Sequence, residues 1–135
     1  MATTPALTAA PLPRYGEAAL SDLTPSILAA IGVPEFPNTL GLSLADRVCL
    51  LLIDGLGWEL LRSNPQDAPF LSTLVPRGRA ITTGFPSTTA ASVASIGMGL
   101  PPGEHGLIGY TMALPGRSHA MNVLRWSVYG PNEVA

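Results

Sequence analysis

Among the 135 residues there is one cysteine and no lysine; charged residues make up 12% and aromatic residues 6%. A lone thiol, Cys49, excludes a disulfide framework within the chain. Its place inside an apolar run reads as a buried small hydrophobe rather than a redox or metal group. All basic side chains are arginines, and the formal net charge of -2 leaves no basic groove for nucleic acid. No stretch reaches the roughly 18 apolar residues that a membrane span needs, since even the run Val48 to Ile53 ends at Asp54. The N-terminus lacks a basic n-region, and Pro11 and Pro13 interrupt what apolar character follows. No secretory leader is therefore expected, and the cytoplasm is the default location.

What the chain does have is apolar content, 47%, with 14 glycines and 14 prolines, enough for one domain with a real core. Residues 1–15 read as an irregular Ala/Thr/Pro-rich arm. Apolar residues at Ala19, Leu20, Leu23, Ile27, Leu28 and Ile31 have helical spacing. Thr24-Pro25 suits an N-cap with proline at the first helical position, and Gly32 followed by Pro34 closes the helix, which is expected at about 25–31. Residues 33–45 read as a loop. The near-continuous run from Arg47 to Ile53 predicts a strand buried on both faces of a parallel sheet, with Asp54-Gly55 at its carboxyl end.

Two short helices follow, from Trp58 to Arg62 and from Ala68 to Val75, and then a strand from Arg79 to Thr83. Strand, helix, helix, strand at this spacing predicts a βαβ crossover with parallel strands. After it come Ser87, Thr88 and Thr89, a hydroxyl cluster at the start of a small-residue helix from Ala90 to Met98 that Gly99 caps. The loop Leu100 to Gly106 leads to strand-like runs at 107–112 and 120–126, joined by Pro115-Gly116 as a hairpin. Trp58 and Trp126 read as core.

The hydroxyl cluster carries the functional argument. The first turn of a helix has N–H groups without intrahelical acceptors and a partial positive charge, which suits an anionic substrate such as a phosphate ester. The βαβ reading puts Asp54 and Thr89 at the same sheet edge, where open α/β sheets bind ligands. A carboxylate and a hydroxyl there can bind a dication that activates the hydroxyl as a nucleophile. Against this, Asp54 serves equally as a helix cap, and any of Ser87, Thr88 and Thr89 serves as the N-cap. Gly55-Leu56-Gly57 begins a dinucleotide fingerprint, but Leu60 stands where its third glycine belongs, which argues against an oxidoreductase.

Leu51-Leu52-Ile53-Asp54-Gly55, the hydroxyl turn, the helix ending at Gly99 and the loop Leu100-Pro101-Pro102-Gly103-Glu104-His105-Gly106 together resemble the N-terminal part of the alkaline phosphatase superfamily. The branch they most resemble is the type I phosphodiesterase and nucleotide pyrophosphatase family. The resemblance implies a three-layer α/β/α fold with a largely parallel sheet, incomplete at its C-terminal side and occupying residues 16–135. It implies two divalent cations, usually zinc, with Asp54 as a ligand of one. It also implies a Thr or Ser nucleophile that becomes transiently phosphorylated or nucleotidylated. Counting ten positions back from Gly99, as in the superfamily, assigns that role to Thr89, which would ligate metal as well. Aligning on Phe85-Pro86 would instead place Gly84 there, and glycine has no nucleophile. Ala90, through its backbone N–H, and Ser92 fall at substrate-binding positions of the motif.

The resemblance also marks departures. The family needs five further Asp and His ligands, whereas His105 and His119 are the only histidines, and the loop that holds His105 is structural in the family. The chain is thus expected to be the N-terminal part of a larger hydrolase acting on a small phosphate ester or nucleotide, with neither nucleic acid nor membrane as partner. Two other readings stand beside it. One is a non-catalytic module that binds a partner or an anion, and the other is a sulfatase or phosphomutase of the same superfamily.

Overall fold

The computed structural model describes residues 11–128. Its helices are α1 (Leu23–Ala30), α2 (Trp58–Ser63), α3 (Pro69–Ser72), α4 (Thr89–Met98) and α5 (Pro102–His105). Its strands are β1 (Thr111–Ala113), β2 (Ala120–Asn122) and β3 (Ser127–Val128), and 3-10 turns lie at Leu20–Asp22 and Val75–Arg77.

The first ordered feature grows from a buried acid. The Asp22 carboxylate accepts the backbone N–H groups of Gly16 (3.1 Å) and Ala19 (2.8 Å), which folds residues 16–22 back on themselves. This presents the backbone of Ala18 and Leu20 to Thr82: Leu20 N–H donates to the Thr82 carbonyl and Thr82 N–H to that of Ala18, a single parallel bridge. Helix α1 starts at Leu23, two residues earlier than expected, with Asp22 at the N-cap position. Thr24 does not cap it, because its hydroxyl donates to the Ile96 carbonyl and so ties α1 to α4. The expected stop holds, with Gly32 at φ 93° just past the helix end.

Helix α4 spans nearly the expected residues and ends on Gly99 in the left-handed conformation, φ 67°. Its small side chains let it pack closely against the Leu20–Asp22 turn, α1 and α5. The core lies at this junction and is built from Ala18, Ala19, Ala30, Ala90 and Ala91 with the hydroxyls of Ser21, Ser26 and Ser95. Each buried polar group needs a partner: Ser26 Oγ accepts the N–H of Leu40 at 3.0 Å.

Several expectations are corrected. Residues 48–53 form no strand, and all six are exposed, Leu51 at 72%. A doubly buried strand exists only when neighbours supply both its hydrogen-bond partners and its covering layers, and among the described residues no strand pairs with 48–53 and nothing covers it. The strand expected at 79–83 reduces to the Thr82 bridge, and its partner is Ala19 rather than the 48–53 run. The parallel sheet is therefore not formed among the described residues. The sheet that is present is antiparallel, in the order β1-β2-β3, with Met112 opposite Met121 and Met121 opposite Val128. It contains the expected hairpin with shorter strands, turning at Gly116 (φ 74°).

Cys49 is exposed rather than buried, and Trp126 is 63% exposed rather than core. The expected helix at 68–75 is split into α3 and the Val75–Arg77 turn, and the loop at 102–105 is helical. Part of the expected N-terminal arm, residues 1–10, lies outside the described residues, as do residues 129–135. No described helix is long and apolar enough to cross a membrane.

Candidate active-site turn

The three hydroxyls at the start of α4 are not equivalent. Thr88 is the N-cap, with extended backbone (φ -89°, ψ 154°), and its Oγ1 accepts the N–H of Ala91 at 3.2 Å. The same hydroxyl donates to the Ile108 carbonyl at 3.2 Å, so both its donor and an acceptor position are in use. Thr89 is the first helical residue and is exposed, as is Ser87. The N–H groups of Thr89 and Ala90 belong to the first turn, where α-helical geometry provides no intrahelical acceptor, so they are oriented outward from the helix end. Ser92 is half-buried one turn along, its N–H donating to the Thr88 carbonyl. Thr89, Ala90 and Ser92 are thus carried on one rigid element.

The approach to this turn is tightly packed. Gly84 is buried, and a Cβ placed on it would lie 2.9 Å from Pro102 Cγ and 3.2 Å from the Tyr15 hydroxyl. No side chain fits there. This accounts for the glycine before Phe85-Pro86, a bond that is cis. Tyr15 also accepts the Phe85 N–H at 2.8 Å.

On the far side, His105 holds α5 to α4. Its Nδ1 accepts the Leu107 N–H at 3.1 Å, so Nδ1 carries no proton and Nε2 is the protonated nitrogen. Nε2–H then donates to Ser95 Oγ, 3.0 Å away. With both ring nitrogens engaged, His105 offers no lone pair to a metal. Sequence reading missed the Ser95 partner. Thr88, Ser92 and Ser95 recur at helical spacing, and that was the available signal. Nothing in the local sequence marks Tyr15.

Asp54 occupies a separate turn with Gly55 (φ 76°), exposed, just ahead of α2. Gly57 rather than Asp54 stands at the N-cap of α2, so the alternative role of helix cap is not the one Asp54 plays. Helix α2 packs on α3. The β-strand frame expected to bring Asp54 and Thr89 to one sheet edge is not built among the described residues. A dication of the expected kind needs several oxygen or nitrogen donors. No group of three or more His, Cys, Asp or Glu that could hold one occurs among the described residues. Asp54 and Thr89 bring suitable oxygens, but they are too few to form a metal site.

Comparison with known families finds a match between residues 48–127, more than half of the chain, and the profile of the type I phosphodiesterase / nucleotide pyrophosphatase family. The matched region contains both Asp54 and the whole hydroxyl turn. No curated protein and no solved structure matches the chain.

Proposed function

The chain belongs to the type I phosphodiesterase / nucleotide pyrophosphatase family, and from that premise we propose that it is part of a phosphoric ester hydrolase in which Thr89 is the nucleophile. The observation that carries the assignment is the division of labour in the turn: Thr88 is consumed as the helix cap, while Thr89 stands exposed at the first position of α4. Thr89 Oγ1 attacks phosphorus and gives up its hydroxyl proton, the bond from phosphorus to the leaving oxygen breaks, and that one proton ends on the departing alcohol or phosphate. Water then attacks the phosphothreonine, restoring the hydroxyl and releasing the phosphate product. The outward N–H groups of Thr89 and Ala90 stabilise charge on the non-bridging oxygens, with Ser92 as a weaker hydroxyl contact.

The family is generally metal-dependent, and Asp54 is the residue of this chain we assign to a divalent cation, zinc by resemblance. Because the described residues do not complete such a site, the chemistry assigned to this chain is that of its own side chains and backbone. We read residues 16–135 as the N-terminal portion of a catalytic domain. The uncovered 48–53 run supports this, since the family sheet would bury it.

The test is hydrolysis of bis-p-nitrophenyl phosphate by the full-length protein. Thr89→Ala is expected to reduce turnover to background while leaving thermal stability nearly unchanged, because the cap on α4 is Thr88. Undiminished turnover in that variant would remove Thr89 from the reaction.

A further inference from the structure

The hydroxyl turn is braced by a segment that lies outside the family-matched residues. Arg14 N–H donates to Thr82 Oγ1 at 2.9 Å, and the Arg14 guanidinium donates to the Ala80 carbonyl at 3.1 Å. Thr82 Oγ1 passes its own hydrogen to the Ala18 carbonyl at 3.2 Å. With the two backbone bonds of the Ala19–Thr82 bridge, these contacts dock residues 14–20 along 80–82. Tyr15 then extends the docking to Phe85.

Residues 84 and 85 need such a brace. Phe85 is 78% exposed, so burial of its ring does little to hold the backbone, and Gly84 has the widest conformational freedom of any residue. Beyond the restriction that Pro86 places on Phe85, two contacts limit them. One is the clamp on Gly84 between Pro102 and the Tyr15 phenol, and the other is the hydrogen bond from Phe85 N–H to that phenol. Three residues later comes Thr88, fixed on its other side by the Ile108 carbonyl. The start of α4 is packed into the core through Ala90 and Ala91, and the segment that leads into it is tied by Tyr15 at Phe85 and by the Ile108 carbonyl at Thr88.

We propose that Tyr15 is a positioning residue for Thr89, its hydroxyl holding Gly84-Phe85 so that the first turn of α4 presents the nucleophile in one orientation. This rests on the reading of Thr89 as nucleophile. Tyr15 touches no reacting atom in this role. It acts through the backbone, and nucleophilic steps are sensitive to displacements of this kind because the reacting atoms must meet at close range and fixed angle.

The experiment compares the full chain with Tyr15→Phe, which keeps the ring and deletes the hydroxyl, and measures two things. The first is amide hydrogen exchange. Losing the phenol acceptor is expected to speed exchange about five- to tenfold at Phe85 and at Ala91 and Ser92, whose N–H groups are bonded to Thr88, with α1 unchanged. The second is hydrolysis of bis-p-nitrophenyl phosphate by the full-length protein, where kcat is expected to fall about tenfold with KM unchanged. Gly84→Ala, whose methyl pushes against Pro102 and the Tyr15 oxygen, should move both readouts in the same direction.

Faster exchange confined to Phe85, or unaltered exchange at Phe85, Ala91 and Ser92, overturns the proposal, as does a Tyr15→Phe enzyme with full kcat. If the unsubstituted protein fails to hydrolyse the ester, the nucleophile reading fails by itself, and the exchange pattern still decides whether Tyr15 holds the turn.

Discussion

Gly99 shows how much one residue can carry. Its φ of 67° is a conformation that L side chains rarely adopt, and a Cβ there would lie 2.8 Å from Pro25 Cγ and 2.9 Å from Pro25 Cδ. Gly99→Ala therefore meets two independent penalties, the left-handed backbone and a ring with no room to retreat inside α1. It is expected to destabilise the protein by about 1–3 kcal/mol, seen as a lower urea midpoint at unchanged slope. The position of Gly99 after a small-residue run was enough to read it as a C-cap. That Pro25 sits against it was not readable, because the contact joins residues far apart in the chain. The same holds at the turn. A hydroxyl cluster was visible as a string of Ser and Thr, but which hydroxyl is spent on capping depends on the Ile108 carbonyl, 20 residues away.

Between elements, the α4–α5 link makes the next prediction. A four-residue helix cannot stand alone, since its nucleation cost exceeds what so few backbone bonds return. Helix α5 persists because Pro102 is fully buried and His105 donates to the buried Ser95. Ser95→Ala leaves the Nε2–H without that acceptor in a half-buried place. A loss of about 1–3 kcal/mol is expected in chemical denaturation, together with faster exchange of the Leu107 amide, whose acceptor ring is no longer held.

Helices α2 and α4 and the hairpin were legible because periodicity, Asn64-Pro65, Gly99 and Pro115-Gly116 are local signals. The strands at 47–53 and 79–83 were over-read. A strand is completed by its neighbours, and an apolar run alone does not specify which segment will pair with it.

For the molecule as a whole, the largest fully buried side chains are Pro102, Ser26 and Ser95, while Leu44, Leu51, Leu52 and Phe70 are on the surface. An exposed, uncharged run such as Val48-Cys49-Leu50-Leu51-Leu52-Ile53, free of proline and glycine, is a site for strand pairing between copies. The 135-residue chain is thus expected to self-associate, with light scattering rising with concentration. Leu51→Lys with Leu52→Glu should suppress that association while leaving the α1–α4 core folded by circular dichroism. Equal scattering from both proteins would show that this run is not the sticky surface.

By itself the sequence determined the family, the helix carrying the hydroxyls and its glycine stop. These depend on residue types at short, fixed spacings, where local sterics and hydrogen bonding decide the conformation. Only the tertiary structure decided that Thr88 caps and Thr89 is exposed, that His105 spends both nitrogens on Ser95 and Leu107, and that Tyr15 reaches Phe85. It also decided that the most hydrophobic run lies open. Each of these outcomes depends on which distant group arrives as a partner, and a hydrogen bond or a buried face is a property of two segments together.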